Sequence, residues 1–389
     1  MLLAAEQRKW TSEAIDLVRF PLAVMVVFIH TMYVGDPTFS MPTDYGHLTG
    51  MDVCNLVRAF GTRVFTHIAV PTFFLISGYL FYKRLEVWDW SVWKIKMQGR
   101  LRTLVIPYFV WCLLFVVRVP YIEVPIRKIA AFFVKGKPFS TIFDYWETVD
   151  INWLHVFWDS EVWGGTDLNW LGQCVAHVTG PALVPFWFMR DLMVVILLSP
   201  FVFWLVKRLG LWFVGLIGFF YVSGVWPDIH GLRATSLFYF SFGAWFTIKG
   251  HTLCSTLYKY RWGFYIPYLI LLPLMVYMEG EQTYGGKSVY IMFGVMACLC
   301  FCYYLVKDCG IKANKFLAGS SFFVFAFHVF VLYDYSGVFV REVIGTAHSL
   351  QILLAYIVQP LLAVAICVLV YYCLHRWLPT VCRVLTGGR

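Results

Sequence analysis

The stretch EAIDLVRFPLAVMVVFIHT, residues 13–31, decides the fold class. From Leu17 to Thr31 it is apolar apart from Arg19, His30 and Thr31. With Ala14 and Ile15 it approaches the roughly 20 residues a helix needs to cross a bilayer. The apolar residues form a run and do not alternate, which argues against a barrel strand. An arginine and a histidine inside the run are foreign to the apolar core of a cleavable secretory signal, so the segment reads as a permanent span. Outward from it, nine further apolar runs follow at roughly 60–82, 103–119, 182–206, 211–226, 232–248, 263–278, 288–306, 319–339 and 351–375. Pro21, Pro71, Pro200 and Pro267 fall within these runs. Membrane helices accept proline where neighbouring helices cover the freed backbone groups.

The whole chain agrees with that segment. Of its 389 residues 60% are hydrophobic and 14% charged, against about half and a quarter in soluble domains. Disordered chains, disulfide mini-proteins and soluble multidomain enzymes are excluded. The expectation is an all-α, polytopic membrane protein of about ten transmembrane helices, organised as a single domain over 1–389.

The net charge of +9 reads as a topology signal. With the N-terminus placed in the cytoplasm, nineteen basic residues fall inside and seven outside: Arg58, Arg127, Lys128, Lys135, Lys137, Lys287 and Arg341. Cytoplasmic flanks of membrane spans carry such an excess. Both termini are therefore expected in the cytoplasm, the protein in the cytoplasmic (inner) membrane, and nucleic acid is discarded as a partner. Two connections have substance. The inside loop 83–102 holds six basic residues and three tryptophans, and the outside segment at about 120–181 holds Trp146, Trp153, Trp158, Trp163 and Trp170 with seven acids. The outside tryptophans read equally as sugar-stacking platforms and as an interfacial aromatic belt. Most of the eleven cysteines, including Cys298, Cys300 and Cys302, lie within apolar runs and read as small apolar residues. A pairing of Cys54 with Cys174 is left open.

Ionisable residues inside spans are costly and face the bundle interior or a watery cavity. They are Asp16, Arg19, His30, Arg63, His67, Arg118, Arg190, Asp191, Arg233, His328 and Asp334. Asp16 and Arg19 are three residues apart, and His30 follows Arg19 by eleven, which returns to within about 20° of the same helix face. The rise between them is about 16 Å. One stripe thus carries an acid–base pair near the cytoplasm and an imidazole near the far surface. His67 lies four residues after Arg63, at the outer end of the second span, where it shares an outer vestibule with His30 or snorkels to the interface. Arg190 and Asp191 are adjacent, about 100° apart on a helix, and are expected to pair with other helices in preference to each other. His328 sits mid-span and reads as a satisfied core histidine. No metal motif, phosphate-binding loop or dinucleotide fingerprint is present.

The motifs, in order, resemble a known family. Arg19, ten residues and His30 fall in the first span. VPTFFLISGYLFYKR (70–84) follows in the second, RLRTLVIPYFVW (100–111) opens the third, FWFMRDLMVVILLSP (186–200) the fourth and SSFFVFAFHVFVL (320–332) the ninth. This succession resembles the acyltransferase-3 family of integral membrane acyltransferases over nearly the whole chain. The resemblance implies transfer of an acyl group, usually acetyl, from cytoplasmic acyl-CoA as donor substrate to a hydroxyl of a cell-surface glycan or lipid-linked glycan on the far side, with membrane lipids around and no bound cofactor. It also implies roles. Arg19 and His30 match the family's arginine–histidine pair, and Arg100 and Arg102 fall where relatives carry R-x-x-R. Here the spacing is R-x-R, with Thr103 in the place of the last arginine.

On the residues themselves, His30 suits a general base, since imidazole titrates near neutrality. Arg19, Arg100 and Arg102 suit the CoA phosphates. Asp16 suits a partner for Arg19, with Arg63, His67, Arg190, Asp191 and His328 in support. The rival reading is a secondary transporter of a small polar solute. Its signature of matched halves with broken helices is not evident.

Overall fold

The computed structural model describes residues 2–31, 39–83, 85, 87–118, 153–158, 162–163, 177–178, 181–227, 229–280, 284–332 and 336–388. Trp146, Trp170, Cys174 and Asp334 lie outside them, and so does most of the segment 120–181. The pairing of Cys54 with Cys174 therefore falls outside the described residues.

The first helix, α1 (Leu2–Ile29), carries Pro21 in its interior and ends one residue before His30. The second, α2 (Gly50–Phe81), is continuous through a π-helical stretch at Ala59–Val64 and a 3₁₀ turn at Phe65–Ile68. Its start is set by Thr49 and Asp52, each of whose side chains accepts the other's backbone N–H, a reciprocal cap for a helix start. The third, α3 (Trp90–Arg118), opens on Asp89, whose carboxylate accepts the Ser91 N–H at 2.7 Å. The expected inside loop 83–102 is thus corrected. From Trp90 onward it is helix, because a cap at Asp89 starts the turn thirteen residues before the apolar run does.

The expected span 182–206 is not one straight helix. It is a bent pair, α4 (Trp187–Leu197) and α5 (Ser199–Leu209), meeting at 66°. Pro200 offers no N–H to the preceding turn, which breaks a helix interior but suits a helix start. At Gly210, φ is +59°, a value glycine adopts without the Cβ penalty, and the chain turns into α6 (Leu211–Ser223). Then follow α7 (Ala234–Ile248), α8 (Leu253–Lys259), α9 (Arg261–Tyr277), α10 (Tyr284–Lys307) and α11 (Lys315–Val331). The series closes with α12 (Gly337–Ile344), α13 (Ser349–Trp377) and α14 (Pro379–Thr386). The strand pairing among the described residues is one two-residue antiparallel ladder, Val162 opposite Val178 and Trp163 opposite His177. Among the described residues, four helices are long and apolar enough to cross a membrane, or five if the bent pair is one span. The chain is a multi-pass helical membrane protein.

In lipid the hydrophobic effect does not drive helices together, so close packing does. The crossing of α2 on α7 shows how. A Cβ at Gly78 would strike the Phe240 carbonyl, and a Cβ at Gly243 would strike the Leu75 carbonyl. The two backbones touch because both positions lack a side chain. The serine–glycine–tyrosine step of α2 is therefore first a packing device, reinforced by the Thr247 hydroxyl donating to the Tyr79 carbonyl at 2.8 Å. The first helix packs against α2, α10, α11 and α13. Ala23 and Val27 of α1 are fully buried against Val324 of α11 and Ala363 of α13. The Ala23–Val27 face of α1 is thereby held inside the bundle.

Candidate active site

Two cavities lie along α1, one at Asp16 and Arg19 and one at its C-terminal end. The first, about 470 Å³, is lined by Asp16 and Arg19 of α1, Ser77 of α2, Arg100 and Thr103 of α3 and Lys315 of α11, with an apolar remainder that includes Phe73, Phe188 and Phe325. The second, about 270 Å³, is lined by His30, His67, Trp187, Tyr221, Thr235 and again Phe325, among others. Arg19 and His30 thus belong to different cavities on one helix.

The charged cavity is organised by ion pairs. The Asp16 carboxylate accepts from Arg19 at 2.9 Å and from the Lys315 ammonium at 2.9 Å, and Lys315 also reaches Glu13 at 3.2 Å. Asp16 so fixes two cations at one wall, with Lys315 brought there from 299 residues away. Arg100 of α3 also lines it, its guanidinium 5.8 Å from the Phe81 ring centre. Arg102 does not join it. It is exposed and absent from the lining. On a helix, residues two apart point about 200° from one another, whereas residues three apart share a face. Thr103, not Arg102, is therefore the second side chain of this turn to face the cavity.

The other cavity holds imidazoles. His30 follows the last residue of α1, its N–H donating to the Val27 carbonyl at 3.2 Å. The Pro71 ring and Val70 next to it come from α2, as does His67. His328 of α11 approaches from behind, with its ring centre 5.3 Å from that of His30. The Nδ1 of His328 lies 2.7 Å from the Phe325 carbonyl. A carbonyl can only accept, so Nδ1 carries the hydrogen and Nε2 presents its lone pair. That Nε2 and the Nδ1 of His67 are buried with no hydrogen-bond partner among the described residues. His328 is thus not the fully satisfied core histidine the sequence suggests. Its neighbour is His30, a pairing of elements about 300 residues apart that no local spacing encodes.

Arg190 and Asp191 require a correction. They pair with each other, through Nε and Nη2 of Arg190 to one carboxylate oxygen at 3.1 and 3.0 Å. Long side chains bridge the 100° between adjacent helix positions when both are buried away from water. The other Asp191 oxygen lies 3.7 Å from Arg233, and Arg190 donates to the Trp158 carbonyl. Arg233 stacks over the Trp187 ring at 4.2 Å, and Trp187 lines the imidazole cavity. Arg190 and Asp191 are fully buried, and through Trp158 and Arg233 they tie the stretch 153–158 to the cavity wall. Arg63 stands at the same end of the molecule, 3.8 Å from Glu279 and 4.2 Å over the Phe39 ring, outside the lining of both cavities. Among the described residues, no cluster of histidine, cysteine or acid groups is arranged to hold a metal ion.

A bundle with a cationic cavity and a histidine cavity strung along one helix defines a membrane protein built around a site internal to its helices. The chain matches the acyltransferase domain of the acyltransferase-3 family over residues 12–376, and it belongs to that family. The succinoglycan biosynthesis protein ExoH of Rhizobium meliloti (strain 1021) is 27% identical over 245 residues, covering 58% of this chain and 56% of that protein. The chain thus spans a little over half the length of that relative. No solved structure matches it.

Proposed function

We propose that the protein is a membrane O-acyltransferase. It moves an acyl group, acetyl by preference, from cytoplasmic acyl-CoA to a hydroxyl of a cell-surface glycan or its lipid-linked precursor on the other side of an inner membrane. About ten crossings, with both termini in the cytoplasm, give the two cavities their opposite exposures. The observation that carries the reading is the placement of Arg19 within α1 and of His30 directly after its last residue, a helical rise of about 16 Å, each in its own cavity.

In this reading the CoA phosphates meet Arg19, Arg100 and Lys315, with exposed Arg102 as an entry charge. Guanidinium groups bind phosphate oxygens bidentately. Asp16 keeps Arg19 and Lys315 aimed at one wall. The extended pantetheine arm, of the same order as the Arg19–His30 rise, carries the thioester toward His30. The acceptor hydroxyl gives its proton to the imidazole as its oxygen attacks the thioester carbonyl. Collapse of the tetrahedral intermediate breaks the C–S bond, and the imidazolium returns the proton to the leaving CoA sulfur. A positioned base of this kind contributes about 10²–10⁴-fold. His328 orients the imidazole and His67 borders the acceptor. The family membership supports acyl transfer, and a relative named for succinoglycan biosynthesis supports a polysaccharide acceptor.

Mass spectrometry of surface glycans from cells with and without the protein tests the reading. Loss of an ester-linked acyl group from one glycan is the expected outcome. Identical glycan profiles in the two cell types would sink it.

A further inference from the structure

The two cavities share one lining residue, Phe325 of α11. Its ring lies flat against Phe186 (centroids 5.7 Å apart, planes at 10°) and meets the edge of Phe188 (5.8 Å, 76°). Both partners flank Trp187 at the start of α4, so the ring is wedged between two helices. Phe325 is almost fully buried, and its backbone carbonyl holds the imidazole of His328, the ring beside His30. This side chain therefore lies on the boundary between the cationic cavity and the cavity that holds His30.

We infer that Phe325 sets the length of the acyl group. The inference rests on the acyl-transfer reading given above. A passage closed by one aromatic ring differs from one closed by backbone: rotation of a single side chain opens it, and only as far as the ring's neighbours allow. Phe186 and Phe188 limit that rotation. A short acyl group on its thioester fits beside the ring. A longer chain would have to displace the stacked pair. With the ring in place, water in the outer cavity is kept from the thioester until the acceptor hydroxyl fills the space. Without it, water attacks the same carbonyl, the C–S bond breaks, and the products are a free carboxylic acid and CoA.

The test uses the full-length protein in detergent, with acetyl-, butyryl- and hexanoyl-CoA. Phe325→Ala and the milder Phe325→Leu are expected to raise the butyryl-to-acetyl rate ratio by about tenfold or more, the scale on which a pocket resolves a few methylenes. They are also expected to release CoA without acceptor. Phe325→Trp shifts the ratio the other way. An unchanged chain-length profile in all folded variants, with no acceptor-independent CoA release, would overturn the inference. A second measurement is independent of the chemistry. In proteoliposomes, the thiol introduced by Phe325→Cys should react with a small impermeant methanethiosulfonate from either side, above the wild-type background. Reaction from one side only overturns the partition. If no acyl-CoA supports transfer by the wild type, the functional reading fails, and thiol labelling still decides whether position 325 is reached from both cavities.

Discussion

The two cavities are built from opposite materials. The larger one holds Arg19 and Lys315 on the Asp16 carboxylate and has Arg100 in its lining as well. The smaller presents imidazoles and aromatic rings, with no arginine, lysine or acid in its lining among the described residues. The difference teaches a division of labour. In the proposed reading, cations in a partly exposed mouth attract and orient phosphate. A base that must lose and regain a proton near neutrality works best away from fixed charges, which would hold it in one protonation state. One helix supplies a member of each set, and aromatic rings keep them apart.

The sharpest way to break the comparison is to ask whether the cavities face opposite sides of the membrane. His47 is exposed in the turn before α2, and Lys312 is exposed before α11. With single cysteines at His47→Cys and Lys312→Cys, an impermeant reagent should label the first from outside intact cells and the second only after permeabilisation. The reverse pattern would invert the donor and acceptor sides.

Next in size is the imidazole itself. His30→Gln keeps a hydrogen-bonding group but removes the base, so transfer should fall by about 10²–10⁴-fold while acyl-CoA affinity stays near wild type. Wild-type transfer by this variant would assign His30 a structural role and turn attention to His67 and His328.

The buried Arg190–Asp191 pair sharpens the comparison from the wall of the smaller cavity. Asp191→Ala leaves Arg190, whose side chain is fully buried, without its carboxylate. Removing one partner of a buried pair costs about 3–5 kcal/mol, read as a lowered unfolding temperature in detergent. An unshifted melting curve would show that the pair does not hold Trp187 and the outer segment in place.

The smallest expected effect is in the cationic cavity. Arg100→Ala should weaken acyl-CoA binding by the value of one charge-assisted contact, about 1.5–3 kcal/mol, whereas Arg102→Ala should cost much less because Arg102 faces away. Calorimetry on the two purified variants checks this. Equal losses in both would mean that the helix face does not sort the two arginines.

Much of this protein is written locally. The continuous apolar runs between residues 14 and 375 specify membrane helices, because a span must satisfy every backbone hydrogen bond within itself. The eleven-residue step from Arg19 to His30 specifies a shared face, because helical periodicity depends only on chain geometry. Helix starts are less legible. Asp89 and Thr49 begin their helices in polar sequence, before any apolar run announces them. Pro200 marks the break between α4 and α5, yet a proline in a membrane run reads equally as a tolerated kink.

Other features depend on which helices meet. Lys315 joins Asp16, and His328 stands beside His30, across about 300 residues. Thr103 faces the cavity in place of Arg102, which the R-x-R spacing implies only once the segment is known to be helical. Phe325 is one phenylalanine in a run of five between residues 322 and 330, and nothing in that run distinguishes it. The sequence by itself determined the helices and the faces along them, since both follow from local backbone geometry. Only the tertiary structure decided that Phe325 lines two cavities, because a shared lining exists only where side chains from different helices meet.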